Sequence, residues 1–231
     1  NENSSESILG KSAEVLDLAK SSFFVEIYVV VDGGADVYKN FRKSYYFSSA
    51  FKKSSKEDKE WIKVLKRVKE EGSELESVEE HFKKDRRIVL AAVQSRGGDA
   101  LEYADDSLKK DKEVVLATVQ NDGLALKHTD ESFKKDREVV LAAVKSHGLA
   151  LEYTDDSLKK DREVVLTAVQ DYGSALDYAD ASFKKDKEVV LTAVKNKGES
   201  LYFADDSLKK DREIVLAAVK NDGYALYCAE D

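Results

Sequence analysis

The chain has 231 residues, of which 36% are charged, and a formal net charge of −8. Its one cysteine, Cys228, argues against a disulfide framework and favours a reducing compartment. It contains no apolar run of about 18 residues, so we expect no membrane-spanning helix. These features predict an intracellular protein, in the cytoplasm or inside an organelle after removal of a targeting peptide.

Residues 1–57 differ in pattern from the rest of the chain. Residues 7–20 (SILGKSAEVLDLAK) fit a helix, residues 23–31 (FFVEIYVVV) have the composition of a buried strand, and a second aromatic run spans 38–51. The two aromatic runs could pair as a hairpin, so we interpret residues 1–57 as a small α/β or hairpin-containing cap on the first repeat. The alternatives are a continuous helix or a segment that docks on a partner through Phe23, Phe24, Tyr28, Tyr45 and Tyr46.

Residues 58–231 repeat one pattern at intervals of about 25 residues. The units begin at residues 58, 85, 111, 136, 161, 186 and 211, and we number them 1 to 7. A period of this length is typical of a solenoid or a repeat array.

Each unit encodes two helices. With the opening Asp as position 0, this residue is a good N-cap, and the Glu at position 2 suits the positive end of a helix. Apolar residues at positions 3, 4, 5 and 8 cover a wide arc, which predicts a first helix of about eleven residues buried on two sides. We expect Gly at position 12 to end it in the left-handed conformation; these residues are Gly97, Gly123, Gly148, Gly173, Gly198 and Gly223. A shorter helix over positions 13–18 and an apolar residue at position 22 follow.

One unit is too small to fold alone. Six buried side chains contribute about 10 to 15 kcal/mol, whereas ordering its residues costs roughly 1.5 kcal/mol each. Neighbouring units must supply further burial, so the sequence predicts an all-α solenoid of two-helix repeats.

The unit D-(R/K)-E-V-V-L-x-A-V-x-x-x-G-x-A-L-x-Y-A-D-D-S-L-K-K, as in residues 136–160 and 161–185, resembles the repeat of the domain-of-unknown-function family 4116. The resemblance covers residues 85–231 well and 58–84 loosely. It implies no activity, because that family has no assigned catalytic residues to carry over.

The residue types that usually support catalysis do not converge in this sequence. His81, His128 and His147 share no metal-ligand spacing, and His128 and Cys228 both replace an aromatic residue at position 17. The recurring Asp pairs lack the pattern of a calcium loop. We therefore expect neither an enzyme, nor a metal or cofactor, nor a small-molecule substrate.

A pair of lysines closes each unit at positions 23 and 24, and stacking would align them as a basic ladder beside acidic residues. We interpret the two as neutralising each other, with docking of an acidic protein or binding of nucleic acid as alternatives. The ladder residues are Lys109, Lys110, Lys134, Lys135, Lys159, Lys160, Lys184, Lys185, Lys209 and Lys210.

Positions 11 and 16 vary from unit to unit while the apolar positions scarcely change. Such a face either drifts neutrally or presents a distinct pattern to a partner. Because aromatic residues dominate binding hot spots, the candidate anchors at these positions are Tyr172, Tyr202 and Tyr227. Tyr224 is a further candidate, because we expect the last unit to leave it half covered. The sequence thus favours a non-catalytic scaffold or accessory subunit with protein partners in a multi-subunit assembly, and we do not expect nucleic acid as a partner.

Overall fold

The computed structural model describes residues 56–95 and 98–229, and over these residues it contains helices and turns without strands. The chain divides into two compact parts, residues 1–63 and 64–231. The predicted all-α solenoid is confirmed. The predicted cap or hairpin and the candidates Phe23, Phe24, Tyr28, Tyr45 and Tyr46 lie outside the described residues.

Each unit contributes a first helix, a six-residue 3-10 helix and, in most units, a single turn of helix before the next unit. The first helices are α1 (Lys56–Glu70), α2 (Arg86–Val93), α3 (Lys112–Asn121), α4 (Arg137–Ser146), α5 (Arg162–Asp171), α6 (Lys187–Asn196) and α7 (Arg212–Asn221). The 3-10 helices are Gly72–Ser77, Gly98–Tyr103, Gly123–His128, Gly148–Tyr153, Gly173–Tyr178, Gly198–Phe203 and Gly223–Cys228. The single turns are Glu80–Lys83, Phe133–Lys135, Leu158–Lys160, Ala181–Lys184 and Asp206–Lys209.

The Asp at position 0 caps the first helix as predicted. The Asp161 carboxylate accepts hydrogen bonds from the amides of Glu163 (2.9 Å) and Val164 (3.2 Å), and the same pair of bonds recurs at Asp111, Asp136, Asp186 and Asp211. The side chain thus satisfies amides that have no partner within the helix.

The core runs continuously through the array. In α5, Val164, Val165, Ala168 and Val169 are fully buried, because the helix packs against α4, against α6 and against the 3-10 helices of its own and the preceding unit. Leu166, at position 5, is only partly buried. The expectation that the first helix is covered on two sides is confirmed for the internal helices, such as α5.

The predicted left-handed role of the position-12 glycine is wrong. The first helix ends one residue earlier, at an extended residue such as Asp122 (φ −142°, ψ 106°), and the glycine begins the 3-10 helix without a positive φ. A Cβ built on Gly148 would overlap the carbonyl oxygen of Ala168, at position 7 of the next unit. Glycine is therefore required for close packing between units. Gly97 lies outside the described residues, and Gly98 begins the corresponding 3-10 helix.

The last residue of the first helix joins its unit to the preceding one where it is Asn or Asp, at Asn121, Asp171, Asn196 and Asn221. Asn196 accepts a hydrogen bond from the amide of Gly173 (2.7 Å) and donates one to the carbonyl of Gln170 (2.9 Å). Asn221 makes the same pair of bonds with Gly198 and Lys195. One side chain therefore satisfies the amide of the close-packed glycine and caps the carbonyl end of the preceding helix.

A second link between units uses only the backbone. The amide at position 19 donates to the carbonyl of the preceding unit's first junction lysine, as from Asp155 to Lys134 (3.0 Å) and from Asp205 to Lys184 (2.9 Å). Consecutive units are thus held by hydrogen bonds at both ends of the repeat.

The degenerate first unit keeps the same framework in a shifted register. Gly72, Leu75 and Phe82 are buried at positions 12, 15 and 22 when the count begins at residue 60 rather than at Asp58. Trp61 then lies at position 1 and is partly exposed.

The glycine packing predicts opposite effects of one substitution at two equivalent sites. Gly148→Ala should lower the free energy of unfolding by about 1 to 3 kcal/mol, since neither main chain can move away without breaking the array. Gly223→Ala should leave it unchanged or raise it by up to about 1 kcal/mol, because a Cβ built there meets no atom within 4 Å. Urea denaturation of both variants measures the difference, and equal destabilisation would contradict it.

Ser200 carries a buried hydroxyl without a hydrogen-bond partner, at position 14, where units 2 to 5 and unit 7 have Ala. Ser200→Ala should therefore raise the free energy of unfolding by about 1 kcal/mol. The matched reverse substitution, Ala175→Ser, should lower it by about 1 to 3 kcal/mol. Thermal and urea unfolding measure both, and a loss of stability in Ser200→Ala would show that the hydroxyl has a partner.

Candidate protein-binding surface

Large exposed apolar side chains of the described residues lie on units 6 and 7. They are Tyr202 (67% exposed), Leu216 (58%), Tyr224 (74%), Leu226 (61%) and Tyr227 (88%). They form two surfaces. Tyr202, Tyr224 and Tyr227 occupy positions 13 and 16, which point to the side of the array. Leu226 occupies position 15, which is fully buried between units elsewhere.

We call the side surface the aromatic patch; it consists of Tyr202, Phe203, Tyr224, Tyr227 and Cys228. The rings of Tyr224 and Tyr227 stack with centroids 6.4 Å apart, and the rings of Tyr202 and Phe203 meet edge to face at 5.4 Å. Tyr202, Phe203, Tyr224 and Cys228 line one shallow groove. The structure therefore brings three of the candidate tyrosines together on one side of the last two units.

Polar side chains edge the aromatic patch. Lys197 and Glu199 also line the groove, and the Lys197 ammonium lies 3.2 Å from the Glu199 carboxylate. The hydrogen bond with Glu199 raises the pKa of Lys197, and partial burial opposes this shift. Lys209 lies over the Tyr202 ring, 5.9 Å from its centroid. The patch is thus an apolar surface with a charged rim, as protein-binding surfaces are.

Tyr172 is not part of this patch. It is partly buried at position 11, where its ring contacts the His147 ring (6.4 Å) and the Lys197 ammonium (5.4 Å) of the neighbouring units. These three residues share position 11, so this position forms a column along the array. Tyr172 does not line the groove, but it contacts Lys197, which does.

Polar contacts made by the residue at position 17 link the earlier units, and these contacts change at the aromatic patch. In earlier units the residue at position 17 contacts the residue at position 16 of the preceding unit. Tyr178 hydrogen-bonds Glu152, and His128 Nε2 lies 3.7 Å from Glu102 and 3.1 Å from Asp99. Burial, followed by the Glu152 carboxylate, raises the pKa of Tyr178. At the end of the array, Phe203 and Cys228 occupy position 17 and have no group equivalent to the tyrosine hydroxyl, so they cannot make this polar contact.

The junction lysines are paired with carboxylates. At position 24, lysines lie 3.6 to 4.0 Å from the Asp at position 19 of the next unit: Lys84, Lys110, Lys135, Lys160 and Lys185. At position 23, lysines pair with an acidic residue three positions earlier, or seven in the case of Lys184: Lys83, Lys109, Lys134, Lys159, Lys184 and Lys209. Lys210 also has an interaction partner.

A second set of charge pairs connects consecutive N-termini. The Lys112 ammonium lies 2.8 Å from both Asp136 and Glu138 of the next unit. Arg162 contacts Asp186 and Glu188 at 2.5 Å, and Arg86, Arg137 and Lys187 bridge in the same way. The sequence predicted acidic residues beside the basic ladder, but it did not identify the pairing of the position-1 cation with both carboxylates that open the next unit.

Comparison with family models gives one result. A domain of unknown function (DUF4116) matches five times in tandem, over residues 63–109, 95–134, 111–159, 136–184 and 186–231. The chain belongs to this family. The comparison with curated proteins gave no match, and neither did the comparison with solved structures.

Over the residues that the structure describes, the DUF4116 repeats contain neither a metal-binding cluster nor a membrane-spanning helix. There, no three His, Cys, Asp or Glu side chains are grouped as they would be around a metal ion. Within residues 56–95 and 98–229, every helix is too short or too polar to cross a bilayer.

The charge pairs of the DUF4116 array predict sensitivity to acid. The hydrogen bond from Arg137 lowers the pKa of Asp161, and that from Arg162 lowers the pKa of Asp186. A lowered pKa in the folded state contributes stability above the unfolded pKa, and this stability is lost as pH falls through the folded pKa. The melting temperature should therefore drop between about pH 5 and pH 2.

The variant Asp161→Asn tests this assignment because asparagine still caps the helix but carries no charge. It should be less stable than the wild type at pH 7, by at most about 1 kcal/mol because the pair is partly solvated, and the difference should vanish in acid. Asp156→Asn is the control, since this side chain is 91% exposed. Thermal unfolding at each pH measures both, and a constant difference across the range would contradict the assignment.

Proposed function

We propose that this DUF4116 chain is a non-catalytic repeat protein that binds other proteins, as a scaffold or as an accessory or linker subunit of a large intracellular complex. The observation that supports this proposal best is the aromatic patch on units 6 and 7. Its three tyrosines are 67 to 88% exposed, and a cluster of this kind is typical of a binding hot spot.

The way in which the patch is held also favours binding. Tyr224 and Tyr227 belong to one 3-10 helix, and Tyr202 and Phe203 belong to the preceding one. These two helices pack against each other and against α7. A partner would therefore meet rings that are already positioned, and a preorganised surface loses less conformational entropy on binding.

The charged residues favour a structural role over catalysis. The position-0 carboxylates cap helices and pair with the preceding unit's basic residue, as Asp161 does with Val164 and Arg137. The junction lysines pair with carboxylates in the same repeated manner. These groups serve the folding of the array, and nothing observed in the described residues favours an enzyme over a binding protein.

Nucleic-acid binding through the junction lysines is the alternative. The carboxylate 3.6 to 4.0 Å from each position-24 lysine would compete with a phosphate for the same ammonium. A binder that depends on these lysines would lose affinity steeply as salt is added.

Co-purification tests the proposal. The wild-type chain should retain a partner at fixed stoichiometry, and Tyr224→Ala combined with Tyr227→Ala should lower the affinity at least about tenfold, because truncating hot-spot aromatics costs 1 kcal/mol or more each. Mass spectrometry identifies the partner, and titration calorimetry with the purified partner measures the loss.

The matched control is Leu149→Ala, which truncates the residue at the position of Tyr224 three units earlier and should leave the affinity unchanged. Circular dichroism verifies that all variants are folded. A chain that purifies without a partner and retards RNA or DNA only at low salt would contradict the proposal and support the alternative.

A further inference from the structure

The end of unit 7, which we call the open end, has the features of an internal unit interface that is not covered. Leu226 is 61% exposed, whereas the Leu at the same position of units 1 to 6 is completely buried. Leu216 is 58% exposed, and its equivalents Leu141 and Leu166 are partly buried against the next unit. The open end is therefore an apolar surface of the kind that the array buries six times.

The open end also has the main-chain geometry of that interface. Gly223 is the position-12 glycine of unit 7, and a Cβ built on it would meet no atom within 4 Å. At Gly123, Gly148, Gly173 and Gly198, the same Cβ would overlap the carbonyl of the next unit's Ala. A glycine is needed here only when another helix packs against it, since its φ is one that any residue can adopt.

The polar groups of the open end specify what could cover it. Arg212, at position 1, corresponds to Arg137 and Arg162, which bind the Asp and the Glu that open the next first helix. The amide of Gly223 corresponds to those of Gly173 and Gly198, which donate to the Asn that ends that helix. A covering helix should therefore carry Asp at position 0, Glu at position 2 and a small residue at position 7, and Asn or Asp at position 10 would add a hydrogen bond to the Gly223 amide.

We propose that the open end binds another unit of this same repeat, through the face of that unit's first helix that packs on a preceding unit. This inference rests on the proposed function and names one class of partner. The contact continues the established interfaces between units, with the same apolar residues, charge pairs and close helix approach. Because its two sides are different surfaces, the contact is head to tail.

The probe is a fragment of this chain, residues 136–231, in which the face of α4 that packs against unit 3 is no longer covered. The fragment also carries Gly223→Leu, so that it cannot extend itself. It retains four units, and arrays of at least about three units are generally stable; circular dichroism verifies that it is helical. Titration calorimetry measures its binding to the full chain at concentrations up to about 100 µM, which detects a contact of about 5.5 kcal/mol or more.

The decisive variant is Gly223→Leu in the full chain. The side chain enters open space in the free protein, so stability should be preserved, but it would overlap the incoming helix. The probe should bind the wild type and not this variant. Arg212→Glu should lower the affinity about tenfold, and Glu138→Lys in the probe should restore part of the loss by reversing the charge pair.

Three results are informative. Head-to-tail self-association of the wild type that Gly223→Leu abolishes would support the proposal and identify a second copy as the partner. Equal binding of the probe to the wild type and to Gly223→Leu would overturn it, as would the absence of binding at the highest concentration. Neither negative result affects the proposed function, which fails only if the tyrosine substitutions in the aromatic patch leave partner binding unchanged.

Discussion

The close approach of each position-12 glycine to the carbonyl end of the next first helix is the contact on which the array depends. Because Gly148 has no side chain, the main chain of unit 4 can pack directly on Ala168. This approach places the last residue of α5, Asp171, within 2.7 Å of the Gly148 amide. A single missing Cβ thus allows the helices to pack closely and brings a hydrogen-bond acceptor to the Gly148 amide. The same arrangement in successive units explains why the apolar positions hardly vary.

The charges of the chain follow from this packing. Stacking at a fixed spacing places the position-1 cation of one unit beside the helix N-terminus of the next, where its carboxylates lie (Arg162 with Asp186 and Glu188). It also places the junction lysines beside carboxylates of the following unit, as for Lys135 and Asp155. Each exposed pair contributes little alone, but every junction repeats it. The many charged residues therefore help to hold the units together, and the positions that vary remain available to determine which partner is bound.

The sequence allowed the period, the Asp caps, the buried valines and the solenoid to be predicted, because each depends on local chemistry or on a repeat that the chain displays. The glycine was misread because its role depends on a helix 20 residues away, and a glycine after a helix usually forms a left-handed end. The hydrogen bonds that Asn196 and Asn221 make to the preceding unit were also missed, because they too join residues that are distant in sequence. In the candidate surface, the variation at position 16 pointed to Tyr202 and Tyr227, which are exposed and whose role in binding stays a prediction. It could not show that Tyr172 lies apart or that Phe203 and Cys228 complete the patch.

The aromatic patch and the open end share unit 7, and the internal units show how they can act together. The residue at position 13 is partly buried in units 3 to 5, as for Leu149 and Ser174, and exposed at Glu199 of unit 6, whereas position 16 is exposed in every unit, as for Glu152 and Asp177. A unit docked on the open end would therefore leave Tyr227 accessible. One molecule could then bind end to end with a repeat protein and, through its side, a different partner, as a linker subunit must.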